Sequence, residues 1–141
     1  MSNCSEKKPT FAVVVAGVVI KKEDKYLLVQ ESQEKCYGKW NPPAGKVDEG
    51  DSIEKTAVKE AKEESGFDVE LVRKIGIYQE KATDAVKHVF EAKIIGGEIS
   101  FPEDEILDVK WFSIDEVKAM AEKDELREKF IIDVIAEMEA E

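Results

Sequence analysis

The run Phe11–Ile20, FAVVVAGVVI, constrains the fold more than any other stretch of the chain. Its apolar, mostly β-branched residues do not alternate with polar ones, so both faces of the strand they form need cover. That is the pattern of a central strand, not one with a wet face. Lys21–Lys25 reads as a charged turn and Tyr26–Gln30, YLLVQ, as the second arm of a hairpin. At ten residues the run is about half the ~20 that a membrane span requires, so no membrane partner is expected.

The next segment, Gly38–Gly45 (GKWNPPAG), is expected to be an irregular loop, because Pro42 and Pro43 remove two backbone donors and force extended geometry before them. A helix follows from about Ser52 to Ser65, with Asp51 or Ser52 as its cap and Gly66 where helices commonly end. Val69–Ile77, Val86–Ile95 and Val109–Phe112 read as strands. Ser113 followed three residues later by Glu116 is a capping-box pattern that predicts a second helix over Ser113–Glu122. In the last segment Leu126, Phe130, Ile131, Val134, Ile135 and Met138 recur at helical spacing, and this stripe is expected to pack on the sheet in preference to a partner. With 141 residues, 43% of them hydrophobic, the chain suffices for one core. Residues 10–141 are read as a single domain and residues 1–9 as a loose tail.

Charge narrows the functions available. Against 21 Lys and Arg stand 32 Asp and Glu, a formal net charge of -11, which repels nucleic-acid backbones and anionic lipid. No nucleic-acid partner is expected, and an anionic ligand would need a local cation. Cys4 and Cys36, far apart and outside any CxxC pair, suit neither a zinc site nor a disulfide framework. Two free thiols and a start without a secretory pattern point to the cytoplasm.

Within Gly45–Phe67, GKVDEGDSIEKTAVKEAKEESGF, the predicted helix sets Glu60, Glu63 and Glu64 side by side. Like charges three and four residues apart repel by a few tenths of a kcal/mol per pair. At roughly 100° per residue, Ile53, Ala57 and Ala61 form the apolar stripe, Glu60 and Glu64 border it, and Lys55, Lys59 and Lys62 fall on the other side. Acids present only for solubility would share the outward face with the lysines. A hard divalent cation offers another account, since Mg²⁺ prefers oxygen ligands and keeps waters and substrate phosphates in its shell. Spacing alone leaves a metal site and a surface acid patch evenly matched.

The same 23 residues resemble the signature of the Nudix hydrolases (MutT-like), G-x5-E-x7-R-E-U-x-E-E-x-G-U. Gly45, Glu60, Glu63, Glu64, Gly66 and Phe67 stand at matching positions, while Asp51 replaces Glu, Lys59 replaces Arg and Ala61 replaces a larger aliphatic. Ahead of the box the family commonly has Trp and Pro-Gly-Gly, where this chain has Trp40 and Pro43-Ala44-Gly45. The resemblance implies an α/β fold, the family's α/β/α sandwich with a central mixed β-sheet. It implies a metal-dependent hydrolase that cleaves the diphosphate bond of a nucleoside diphosphate linked to another group, or a related small diphosphate or triphosphate. Mg²⁺, with Mn²⁺ as substitute, is the implied cofactor.

On that resemblance Glu63 and Glu64 are metal ligands, Glu60 is ligand or general base, and the Gly45 carbonyl is a further ligand. Lys59 pairs with Asp51 to orient a catalytic carboxylate, less rigidly than arginine's fork would. Four residues are candidates for substrate contact: Lys46 near the phosphates, Trp40 stacking a base, His88 lining the cleft, and Glu105 as an acid from a later loop. The bland readings are an exposed loop lysine, a packed tryptophan, a structural histidine and a solvated turn. Capped RNA is disfavoured by the acidity, and a monomer or homodimer is expected. The alternative is a Nudix-fold nucleotide-binding module without catalysis, although no core glutamate is missing.

Overall fold

The first hairpin organises the molecule. In the computed structural model, which describes residues 8, 11–79 and 85–140, strand β1 (Val13–Lys22) turns through Glu23 and Asp24 into β2 (Lys25–Glu31). Both turn residues have positive φ, 51° and 64°, and Lys22 pairs with Lys25 across them. This tight two-residue turn matches the twist of the flanking strands. The expected tail lies outside the described residues apart from Lys8.

A 3-10 turn (Glu34–Cys36) precedes β3 (Trp40–Asn41) and β4 (Ala44–Lys46), and helix α1 (Ile53–Ser65) leads to β5 (Phe67–Tyr78). Then come β6 (Ala85–Gly97), β7 (Ile106–Ser113), α2 (Ile114–Glu122) and α3 (Ile131–Glu139). The seven strands form one mixed sheet ordered β3-β2-β1-β6-β5, with β4 added on β1 and β7 on β2. β1 runs parallel to β6 and antiparallel to β2 and β4, the central position that its composition predicts.

Alternate residues build two cores. Val18 and Ile20 of β1, Leu27 and Val29 of β2, and Phe90 and Ala92 of β6 join Ala57 and Ala61 of α1 on one face. Val19, Tyr26, Leu28 and Val89 meet Val117 of α2 and Val134 and Ile135 of α3 on the other. The architecture is the expected α/β/α sandwich. Among the described residues no helix is long and apolar enough to cross a membrane.

Three expectations are corrected. Phe11 stands outside β1 and is 86% exposed, so two-sided burial is confined to Ala16–Ile20. The proline loop contains two short strands, because Asn41 bonds into β2 and Ala44–Lys46 into β1 on either side of Pro42-Pro43. Leu126 is not on the third helix. The Trp40 N–H donates to the Glu125 carbonyl and the Arg127 N–H to the Trp40 carbonyl, both at 2.8 Å. The main chain around Leu126 is thereby committed to β3, and α3 begins at Ile131.

Candidate active site

Helix α1 is fixed at both ends. The Ser52 side chain accepts from the Lys55 N–H, and Gly66, at φ 87°, closes the last turn by donating to the Lys62 carbonyl. The left-handed conformation costs glycine little. Its placement is crowded as well, since a Cβ there would strike the Glu98 carbonyl oxygen. Fully buried Ala57 and Ala61 press the helix onto the sheet, which carries Glu60 and Glu64 to the margin of β4. The Ala44 N–H donates to Glu64 Oε1 at 3.1 Å. Gly45 lies so close to the Glu60 carboxyl that any Cβ at this position would collide with it. A side chain at 45 would therefore displace the Glu60 carboxyl from its place against the backbone.

Electrostatics at this margin are unfavourable to the carboxylates. Burial pushes Glu64 up to about 9, against the opposing hydrogen bond from Ala44, and the charges of Glu31, Glu60 and Glu105 push the same way. Glu60 is raised to about 7, first by burial and then by the neighbouring Glu63 carboxylate. Glu63 itself is exposed. Among the described residues no lysine or arginine forms an ion pair with any of the three. The nearest, Lys59, is turned away toward Asp48 and Asp51 at 3.4 and 3.5 Å, while Lys55 holds the other Asp51 oxygen at 3.2 Å. Asp51 is lowered chiefly by Lys55, and Lys59 is raised chiefly by Asp48.

Oxygen donors at a partly buried margin with no protein cation suit a hard divalent ion, so the residues fit such a group. No three acidic, histidine or cysteine side chains among the described residues already surround one point. That is compatible with Mg²⁺, which takes few protein ligands and completes its shell with water and phosphate.

The other predicted residues are dispersed. Lys46, beside Gly45, is exposed. Glu105 is an exposed loop residue whose charge reaches Glu64 and whose carbonyl accepts from Ser32 Oγ at 2.6 Å. Trp40 packs edge-on against Phe112, ring centroids 4.9 Å apart, in the core on the α2–α3 face. His88 Nδ1 lies 2.6 Å from Lys74 Nζ, and its pKa is lowered by burial and by that ammonium. The acid whose charge acts on His88 is Glu54, in the first turn of α1 rather than the last. Sequence reasoning missed Glu31. It is 6% exposed at the end of β2, bound by Arg127 Nη1 at 3.0 Å, and its charge is felt at Glu64. An acid closing an apolar strand was the available signal.

The NUDIX domain family profile matches residues 10–134. An 8-oxo-dGDP phosphatase of Danio rerio is 31% identical over 102 residues, covering 70% of this chain and 31% of its own length. A NUDIX hydrolase structure from Nitrosomonas europaea superposes with a TM-score of 0.77 at 30% identity, covering 92% of this chain and 89% of that one. An ADP-ribose pyrophosphatase from Streptococcus suis superposes with a TM-score of 0.65 at 34% identity, covering 74% and 75%. The chain spans about a third of the length of several curated relatives.

Proposed function

The chain is a member of the Nudix hydrolase family, and on that premise we propose that it hydrolyses the diphosphate bond of a nucleoside diphosphate linked to another group. A divalent cation, Mg²⁺ or Mn²⁺, would be held by Glu60, Glu63, Glu64 and the Gly45 carbonyl. The observation that carries this reading is the placement of Glu60 and Glu64. Both are packed against the Ala44–Gly45 backbone, with no protein cation bonded to them among the described residues. When bound, such an ion neutralises phosphate oxygens, orients the diphosphate and makes a coordinated water a stronger nucleophile.

The chain's own contribution is positioning. The Ala44 N–H fixes one oxygen of Glu64, and the Glu60 carboxyl lies close over Gly45. Glu60, as ligand or base, is then available to accept a proton from attacking water, while exposed Lys46, on the same strand as Gly45, would meet the phosphates. Lys59 and Asp51 steady the loop that enters α1. Two of the proteins compared above are named for nucleoside diphosphate derivatives, 8-oxo-dGDP and ADP-ribose, which supports a small nucleotide as substrate. We take residues 10–141 as one domain and a reducing cytoplasm as its compartment, consistent with Cys36 as a buried free thiol.

The test is a panel of nucleoside diphosphate derivatives incubated with the protein and Mg²⁺ or Mn²⁺, with products resolved to show which bond breaks. Cleavage between the two phosphorus atoms is expected for at least one member. If nothing is cleaved while calorimetry shows the metal bound, the protein is a nucleotide-binding module.

A further inference from the structure

The antiparallel pairing of β5 with β6 slips between Lys74 and Gly76, which leaves Lys74 opposite Phe90 and Ile77 opposite His88. Phe90 belongs to the core beneath α1, and His88, two residues earlier on the same strand, shares its face. Lys74 reaches across to both. Its Nζ lies 5.8 Å from the Phe90 ring centroid and 2.6 Å from His88 Nδ1. An ammonium has only donors to offer, so Nδ1 is the accepting nitrogen and the ring proton sits on Nε2.

What Lys74 lacks is a carboxylate. In a chain with 32 Asp and Glu, the exposed Lys55, Lys62 and Lys93 are each ion-paired. Lys74 is equally exposed, yet among the described residues its polar partner is the imidazole. Glu54 of α1 acts on His88 through its charge and not through a hydrogen bond. Burial and the Lys74 ammonium hold the His88 pKa below its ordinary value, so the ring is neutral at physiological pH and can accept a proton. A carboxylate neighbour would keep the proton on the amine, whereas a neutral base can take it away.

We propose that Lys74 is a site of enzyme-independent acylation by thioesters, with His88 as the base that assists it. In the step, the lone pair of the Lys74 amine attacks the thioester carbonyl carbon and a C–N bond forms. The nitrogen sheds its proton to His88 Nδ1 as the C–S bond breaks, and the sulfur leaves as thiolate. His88 then returns the proton to the thiolate or to water. The products are an amide on Lys74 and a free thiol, with no change of oxidation state. Modification removes the lysine charge, and with it the donor that His88 Nδ1 accepts from. The net charge of -11 repels polyanionic donors, so an uncharged thioester is the preferred reagent. The site is independent of the hydrolase reading.

The full chain incubated with S-acetyl-N-acetylcysteamine, a neutral acetyl thioester, gives the test, with acetylation of each lysine followed over time by peptide mass spectrometry. Two lysines of the same molecule serve as references. Lys93 lies on the same strand pair but is bound to Glu70 at 3.2 Å, and Lys118 is exposed on α2. Lys74 is expected to acetylate roughly tenfold or more faster than either. His88→Gln keeps a polar side chain but no base, and should bring Lys74 to within about twofold of Lys118 while both references keep their rates. The comparison among lysines of the parent needs no mutation, so it stands even if the variant fails to fold. Lys74 reacting no faster than Lys93 and Lys118 would overturn the proposal. So would a folded His88→Gln in which Lys74 stays fast.

Discussion

Glu128 and Glu64 are acids withdrawn from water on opposite faces of one sheet, and the protein treats them differently. Glu128 has the Lys87 ammonium against one oxygen, and Glu31, at the end of β2, has the Arg127 guanidinium. Glu64 has one backbone N–H and is surrounded by the charges of Glu31, Glu60 and Glu105. An acid paired within the chain belongs to the architecture, since removing its partner leaves an uncompensated charge. An acid left without a bonded protein cation, at the edge of a helix that could have turned it outward, suits the cation proposed above. On the proposed function, the difference separates the load the fold carries for itself from the load it carries for chemistry.

The largest effect expected from this contrast is on turnover. Glu63→Gln should reduce hydrolysis about a thousandfold, roughly 4 kcal/mol of barrier, while the melting temperature stays within a degree or two because Glu63 is exposed. An unchanged rate in the presence of saturating Mg²⁺ would place Glu63 with the solvated acids. Next in size is the converse change on the other face. Lys87→Met leaves Glu128 with only the more distant Arg127 Nε at 4.0 Å and should cost up to about 3 kcal/mol of stability by denaturant unfolding. A variant as stable as the parent would show that Glu128 has another route to neutrality.

A third prediction uses acidity. The Glu64 carboxyl is raised in the folded state to about 9 from an ordinary 4.5, so folding favours its protonated form. In metal-free protein its contribution to stability is therefore intact below about pH 4.5 and drains away as the pH climbs toward 9. Glu64→Gln cannot ionise. Without metal it should melt with the parent at pH 4.5 and about 4 °C or more above it at pH 8. Mn²⁺ should raise the melting temperature of the parent at pH 8 more than that of the variant. Coincident curves at both pH values would mean that Glu64 ionises as easily folded as unfolded.

The same contrast marks what could be read in advance. Helix α1 was legible because its signals are local: an apolar stripe at 57 and 61, a cap at Ser52 and a stop at Gly66. The central place of β1 followed from composition alone. What escaped was pairing between distant residues. Asn41 lies between Trp40 and two prolines and looks like a loop residue, yet it bonds into β2 across from Val29. Lys87 and Glu128 sit 41 positions apart, so nothing in either neighbourhood announces their contact. Leu126 fits a helical stripe and is still pulled from it by the backbone of Trp40. Local rules place elements, whereas buried charges are matched by whatever the topology delivers.

The smallest effect concerns the one ion pair that belongs to both categories. Lys59 divides its ammonium between Asp48 and Asp51 at distances near the limit of a useful contact, and Lys55 shares Asp51 with it. A point charge so divided restrains the loop weakly, whereas guanidinium could hold one carboxylate with two parallel bonds. Exposed pairs contribute at most about 1 kcal/mol, so Lys59→Arg should raise kcat by no more than about fivefold. KM should stay where it is, because the pair holds the loop rather than the nucleotide. Lys59→Met should lower kcat by a similar factor. A change of tenfold or more in kcat from either variant would mean that the entry loop, and not the carboxylates on α1, limits the chemical step. A shift confined to KM would instead put Lys59 itself in contact with the phosphates.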